Sequence, residues 1–475
     1  MKLSELFPDL VIAEDIEISG IKTNSREVKP GDLFLCTKGL NADRHDYLPA
    51  AVKNGAVAAV VSREVEALVP LIYVEDTNAV ALDLYETFYG HPEQELQLIG
   101  LTGTDGKTST ATLVQHLLGE ENCGYIGTNG ASCKDFQAED VHNTTPDMMH
   151  LLKYFRSFRD HGCTYVAMEA SSEAFYHHRL DTLRFAAAAY SNLTSEHLNT
   201  HKTLENYIAC KQQLFLQNDG PSVLNHDDAH YEEFRSVSKN VATYGRAKDN
   251  DLQIVSYELY ADHTDVVFRY EGKDHAFRSP LLGAFNVENL AEAFLLCLKL
   301  GRSMEELIGK LPGVHISGRM EVIDEGQDFA VIVDYAHTPN GVTRFMEFVK
   351  SLPHHHILAV SGQAGERDAS KRRFVGEAIA RNSDHVYFTA EDPRHEDVRE
   401  IIAMMCENIP DLHNHETVID RGEAIDKAIR EAQKDDIVVI LGKGAESGNI
   451  VGDVEVPLCD TEAARDSLKR RLGKE

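Results

Sequence analysis

The sequence predicts an α/β protein of three domains with mostly parallel sheets. Two observations carry this. Short apolar runs alternate with helical patterns along a chain of 475 residues, too long for a single core. The alternation also restarts near residue 314, after a long helix has closed the preceding series.

Each segment is read from its own strands. Residues 1–92 carry "DLFLCTKG", the helix-and-strand stretch "YLPAAVKNGAVAAVVS" and "PLIYVED", an N-terminal α/β domain. Residues 93–313 open on "LQLIGLTG" and return to strands at "TYVAMEAS" and "RFAAAAYSNLT", with helical patterns between them. "LQIVSYELY" and "DVVFRYEG" read as a small antiparallel addition, and "NVENLAEAFLLCLKLG" as a helix ending on Gly301. In residues 314–475, "FAVIVDYAHTP", "HILAVSGQAG", "HVYFTAEDPR" and "DIVVILGKGAE" each run from an apolar strand into a polar stretch, a Rossmann-like pattern. Ligands of open α/β sheets gather beyond the carboxyl ends of strands. His337, Arg367, Arg394 and Glu446 fall there.

Composition narrows the function. A formal charge of −30 argues against nucleic acid and requires any anion site to be locally basic. "MKLSELFPDLVIAEDIEISG" lacks the apolar centre of a signal peptide, and no run reaches bilayer-spanning length. The cysteines, at 36, 123, 133, 163, 210, 297, 406 and 459, include no C-x-x-C pair. They read as reduced thiols of a cytoplasmic protein that does not insert into membranes.

The sharpest local signal is "LTGTDGKTST", Leu101 to Thr110. Gly103 and Gly106 let backbone N–H groups approach a phosphate, and Thr104, Asp105 and Ser109 are expected at the nucleotide with them. Lys107 supplies charge to the terminal phosphates, Thr108 a hydroxyl for Mg²⁺, and the helix that follows presents its N-terminus to the anion. The spacing is shorter than the common phosphate loop, but the strand–turn–helix context is present.

G-T-x-G-K-T after an apolar strand resembles the Mur ligases, ATP-dependent amide-forming enzymes of peptidoglycan precursor synthesis. The resemblance covers essentially the whole chain. "TNSREVKPGDLFLCTKGLNADRHDY", "HNTTPD", "MEASSEAFYHHRL", "SNLTSEHLNTHKTLENYIACKQQLF", "GAFNVENL", "SGRMEVI", "DYAHTPNGV", "AGERDASKRR", "EDPRHED" and "GKGAE" follow in the family's order. The first looks like the UDP-binding start of the tripeptide-forming member. The fold this implies is a UDP-binding α/β domain, a central P-loop-type ATPase domain and a C-terminal Rossmann-like domain.

The resemblance also implies a reaction. ATP phosphorylates a carboxylate of UDP-N-acetylmuramoyl-L-Ala-D-Glu, and the amino group of a free diamino acid displaces phosphate. Gathering anions this way needs cations, so Mg²⁺ is expected. Glu169, Thr108, His197 and Lys211 match the family's metal positions, Lys211 as a carbamate, since a plain ammonium would repel the ion. With Lys107 these form the expected catalytic set. Read alone, Lys211 would be a solvent-facing helix residue; His201, at i+4 from His197, reads as structural. Asn286, Asn289, Arg319, Asp334 and His337 match the nucleotide contacts, although Asp334 alone would read as a strand-end cap. Ser25, Leu40, Asn41 and Ala42 match the uridine end. Asn143, Thr144, Thr145, Ser171, His177 and Arg179 match the muramoyl-peptide contacts. His177, Glu196 and Glu173 depart from the usual Gln, Asp and His, which puts local contacts in question but not the reaction class. "PHHH" at 353–356 reads as solvated loop.

Arg367, Glu391, Asp392, Pro393, Arg394, Gly442 and Glu446 match the amino-acid pocket. Arg394 suits the distal carboxylate of meso-diaminopimelate. Asp392, where an Asn is usual, and Glu391 suit the lone ammonium of L-lysine, with Arg394 paired to Asp392 or Glu396. The added negative charge tips the expectation to lysine, with meso-diaminopimelate the alternative. The chain is expected to be a monomer. The rival readings are another amino-acid ligase of this superfamily and a non-catalytic nucleotide-binding subunit.

Overall fold

The computed structural model describes residues 1–12, 14–39, 42–138, 143–194, 198–260 and 263–474. They form two compact units, Met1–Gln97 with Pro146–Thr164, and Leu98–Thr145 with Tyr165–Glu475.

The first unit holds a parallel sheet of Gly20–Lys22, Asp32–Leu35, Ala58–Val61 and Leu71–Tyr73, in that order. Asp32–Leu35 and Ala58–Val61 are buried throughout, so they read as continuous apolar runs. The helix Met148–Asp160 joins this unit although it lies far along the chain. It buries Leu151, Leu152, Tyr154, Phe155 and Phe158, a stripe at helical spacing, and packs on the helices Ala81–Tyr89 and Pro92–Glu95. In sequence this helix falls inside the segment read as 93–313.

The second unit carries two larger sheets. In the first, of eleven strands among the described residues, Gln97–Thr102 lies between Ala187–Tyr190 and Tyr165–Glu169. The helices Lys107–Leu118 and Ala284–Lys299 pack together against it, with Ile99, Leu101, Val114, Leu117, Leu290 and Phe294 in the core. The antiparallel addition has three strands, Leu252–Leu259, Thr264–Tyr270 and Lys273–Ser279, and continues the main sheet through Tyr244 and Leu252. Its last strand, "KDHAFRS", is largely polar and half-exposed, which hides it from an apolar pattern.

The other sheet runs Glu321–Val322, Ala330–Asp334, Ile437–Leu441, Ile357–Ser361, His385–Phe388, His415–Thr417. All pairs are parallel except the first. The last of the four sequence-read strands sits between the first two. This brings the ends at Asp334, Leu441, Ser361 and Phe388 to one edge, together with the polar stretches that follow them. Among the described residues, no helix is long and apolar enough to cross a membrane.

Candidate active site

Gly106 caps the helix Lys107–Leu118 at φ +89°, a left-handed conformation that favours glycine. A β-carbon there would meet Asn289 Oδ1 at 2.5 Å, so Asn289 lies directly against the loop. Asn289 is held by Asn286 (Nδ2 to Oδ1, 3.0 Å), which itself donates to Leu282 O (2.9 Å). The loop is clamped from the next strand end. Asn192 Oδ1 accepts from Asp105 N and its Nδ2 donates to Asp105 O, both at 3.0 Å, and Ser191 Oγ donates to the same carbonyl at 2.7 Å. Thr104 Oγ1 accepts from Thr194 N (3.0 Å) and lies 3.2 Å from Tyr207 Oη. Lys107 Nζ donates to Gly103 O and Thr104 O (2.9 and 2.8 Å), which keeps its ammonium at the loop's mouth.

Arg319 reaches this loop and donates to Thr108 Oγ1 at 3.0 Å, its guanidinium 4.3 Å from the Tyr335 ring centroid. Arg319, Asp334, Asn289, Asp105, Gly106 and Ser109 line one cavity together with Phe285, Phe345 and Arg344. Both oxygens of Asp334 also accept backbone N–H groups, from Met320 and Ala336, at 2.8 Å. It is thus a strand-end cap and a cavity wall at once. Burial pushes its carboxyl above the usual range, against the pull of Arg319. His337 Nδ1 lies 2.9 Å from Tyr335 O, and its ring packs edge-on against Tyr335.

Glu169 is buried at the end of its strand. Its Oε1 accepts from Tyr125 Oη and Thr128 N, both at 2.9 Å; among the described residues Oε2 accepts only from Thr128 Oγ1, at 3.4 Å. A buried anionic oxygen so lightly used fits a hard cation such as Mg²⁺. Lys211 is buried too. Its Nζ donates to Gly103 O at 2.7 Å and stands 4.7 Å from the Tyr207 ring. The ammonium itself has the wrong sign for a metal ligand; a carbamate at this position would have the right one. His197 and Glu196 lie outside the described residues. His201 is buried, 3.0 Å from Ser172 Oγ and packed against Tyr176 and Tyr207.

Thr145, Ser171 and Arg179 converge beside Glu169. Thr145 Oγ1 donates to Glu169 O (2.7 Å) and lies 3.0 Å from Ser171 Oγ, while Arg179 donates to Thr145 O (3.2 Å). Thr144 Oγ1 meets Thr128 Oγ1 at 3.2 Å. Asn143 precedes them in the same loop, and His177 is exposed at the end of a short helix. In the first unit, Ser25 is buried and its carbonyl accepts from Asn54 Nδ2 (2.8 Å). Ala42 O accepts from Gly39 N (2.8 Å), while Leu40 and Asn41 lie outside the described residues.

The residues expected at the amino-acid substrate form a second cluster. Asp392 and Arg394 hold φ of +40° and +49°, uncommon for residues with side chains and typical of over-determined sites. The segment Glu391–Arg394 is clamped by the ribbon of Gly448–Val451 and Val454–Pro457. Asp392 N donates to Asn449 Oδ1 (2.6 Å) and Arg394 N to Ile450 O (3.0 Å). Asp392 Oδ1 accepts from Lys443 Nζ at 2.7 Å and Ile450 N at 2.9 Å. Lys443 also donates to Glu446 Oε2 (2.8 Å), whose Oε1 accepts from Tyr335 Oη (2.9 Å). Glu396 takes Arg372, at 2.8 and 3.0 Å. The expected pairing of Arg394 with Asp392 or Glu396 is therefore absent: Lys443 and Arg372 occupy those carboxylates. Among the described residues, the Arg394 side chain donates only to Gly365 O, at 2.7 Å.

Glu391 is buried with Oε2 unbonded, and burial pushes its pKa up to about 7. Pro393 is buried beside it, Gly442 N donates to Asp334 O (3.1 Å), and Arg367 is exposed. Ser191, Asn192, Lys443 and Arg372 lie within recognisable motifs whose spacing assigns them no role. Arg421 carries no local sequence signal, yet it is fully buried, pairs with Asp460 (2.7 Å) and donates to Ala390 O and Leu441 O.

The chain is similar to known proteins along nearly its whole length. Residues 17–89 match the Mur ligase family catalytic domain, 101–297 the Mur ligase middle domain and 318–444 the Mur ligase glutamate ligase domain. The UDP-N-acetylmuramoyl-L-alanyl-D-glutamate–2,6-diaminopimelate ligase of Geobacillus kaustophilus is 35% identical over 468 residues, 96% of each chain. A solved structure of an enzyme with the same name is 28% identical with a TM-score of 0.63, covering 99% of each chain. The MurF ligase of Thermotoga maritima, solved with ADP, shares the fold at a TM-score of 0.69 and 19% identity, covering 97% of this chain and 99% of its own. The chain belongs to the Mur ligase family and has its three-domain α/β fold.

Proposed function

We propose that the chain is an ATP-dependent ligase that adds meso-diaminopimelate to UDP-N-acetylmuramoyl-L-Ala-D-Glu. This reverses the expectation of lysine. The observation that carries it is the state of Arg394: among the described residues its guanidinium holds one carbonyl and no carboxylate, while Lys443 and Arg372 neutralise Asp392 and Glu396. The acidity that favoured lysine is thus consumed inside the protein. A distal centre bearing both ammonium and carboxylate would meet Glu391 and Arg394, a charge-assisted pairing for each end. The names of the relatives support the same amino acid.

The chain's residues divide the work. The loop amides and Lys107 bind the phosphates of ATP, and Arg319 lies where charge grows as the terminal phosphoryl leaves. Thr108, Glu169 and carbamylated Lys211, with His197, would hold Mg²⁺, which supplies charge neutralisation when bound. Thr145, Ser171 and Arg179 orient the substrate carboxylate beside that set. Phosphoryl transfer to this carboxylate creates the leaving group, and the amine of the bound amino acid then displaces phosphate, losing a proton as the amide forms. The division into residues 1–92, 93–313 and 314–475 is supported by the spans of the three family domains.

The test is ligation of UDP-N-acetylmuramoyl-L-Ala-D-Glu with meso-diaminopimelate and L-lysine offered separately. A kcat/KM ratio of at least about 10³ for diaminopimelate is expected, since a site built to pair a charge rejects the analogue lacking it. Equal use of both, or preference for lysine, would overturn the assignment of Arg394.

A further inference from the structure

The edge of the C-terminal sheet opposite the active site carries a second cluster. His355 and His356 precede the strand Ile357–Ser361, and Asp436 precedes its neighbour Ile437–Leu441. Three bonds fix their register: His355 N to Asp435 O at 2.8 Å, His356 N to Asp436 Oδ1 at 3.0 Å and Ile437 N to His356 O at 2.8 Å. Asp436 is buried, its Oδ2 accepting from Gln433 N at 2.6 Å. Both imidazole Nδ1 atoms lie near the remaining oxygen, His355 at 3.5 Å and His356 at 3.4 Å.

Those separations are long for hydrogen bonds. They match the distance between neighbouring ligands around one tetrahedral ion, about 3.3 Å for metal–ligand bonds near 2.0–2.1 Å. The two rings are 58% and 45% exposed, so an ion has an open approach and a free position for water. Asp384, whose Oδ2 accepts from Ile357 N at 2.8 Å, and Asp435 add negative charge nearby. Two imidazoles and one carboxylate select a divalent transition metal over Mg²⁺. His354 lies outside the set, its Nδ1 being 2.7 Å from Leu352 O.

We propose that His355 Nδ1, His356 Nδ1 and Asp436 Oδ1 form a binding site for a divalent transition metal of the Zn²⁺ class. The site clips the entry ends of two adjacent strands. It lies a five-residue strand, about 16 Å, from the catalytic edge. Its effect is on stability, not on chemistry.

The test uses the full chain, free of any histidine tag, stripped with chelator and kept in excess Mg²⁺. Wild type and the double variant His355→Gln/His356→Gln are titrated with Zn²⁺ by calorimetry and with Co²⁺ by visible absorption. Wild type is expected to bind one more equivalent than the variant, with a Co²⁺ band that the variant lacks and a Zn²⁺-dependent rise in Tm. His356→Gln alone should weaken that equivalent at least about tenfold. Ligation activity should be unchanged in both, which also shows that they fold. Equal stoichiometry, band and Tm response in wild type and double variant would overturn the site.

Discussion

The proposed phosphate loop and the proposed amino-acid pocket are both built at strand ends, yet they yield to reading differently. In the loop, role follows from backbone: Gly106 must be left-handed, Lys107 must stand at the mouth, and the residue types announce both. In the pocket, role follows from pairing. Glu391, Asp392, Arg394, Lys443 and Glu446 are all charged, and their names do not say who neutralises whom. Asp392 looks like a lysine receptor until Lys443 is found 2.7 Å away. A charged residue's function is set by the charges left over, and that sum is visible only in three dimensions.

The largest effect should come from the loop side. Lys211→Ala is expected to abolish turnover, by at least about 10³ in kcat, with the far-UV spectrum unchanged. Near wild-type ligation would remove Lys211 from the catalytic set. On the pocket side, Arg394→Ala should lower kcat/KM for meso-diaminopimelate by about 30- to 1,000-fold, equivalent to about 2–4 kcal/mol, and leave L-lysine nearly untouched. A parallel loss for both amino acids would mean that Arg394 only braces Gly365.

The same contrast explains how much was legible. Four strands of the last domain and the edge their ends share were readable, because apolar runs flanked by polar stretches are a one-dimensional signal. The strand His415–Thr417, half-exposed and without an apolar residue, carried no such signal. Nor did the joining of Met148–Asp160 to the first unit, since a helix's apolar stripe says that it packs but not on what. The loop's residues were readable from their spacing, whereas the Asn192 and Ser191 clamp depends on two strands being neighbours.

The two regions are also joined. Thr108, Arg319, Tyr335, Glu446, Lys443 and Asp392 form one chain of contacts from loop to pocket. Tyr335→Phe removes its one hydroxyl link, a bond worth about 0.5–1.5 kcal/mol. It should lower kcat/KM for the amino acid by about 2- to 10-fold. Combined with Glu446→Gln, the loss should be less than additive; strict additivity would show that the two regions act independently.

One residue on the loop side behaves as the pocket does. Glu292, in the helix that packs on the loop helix, is fully buried; Oε2 accepts from Thr110 Oγ1 at 3.0 Å and Oε1 has no hydrogen-bond partner among the described residues. Burial pushes its pKa up to about 8, against the weaker pull of Thr110 and Lys107. Between its ordinary value of 4.5 and about 8, the unfolded chain releases this proton while the folded chain keeps it. The folded state then binds more protons, so Glu292's contribution to stability falls as pH rises through that window and is flat above it. Glu292→Gln keeps the shape without the charge. Its Tm should equal wild type near pH 4.5 and exceed it increasingly toward pH 8, by about 2–4 °C for each kcal/mol recovered. A constant difference across that range would mean that Glu292 does not titrate there, and that Lys107 holds it ionised beneath the loop.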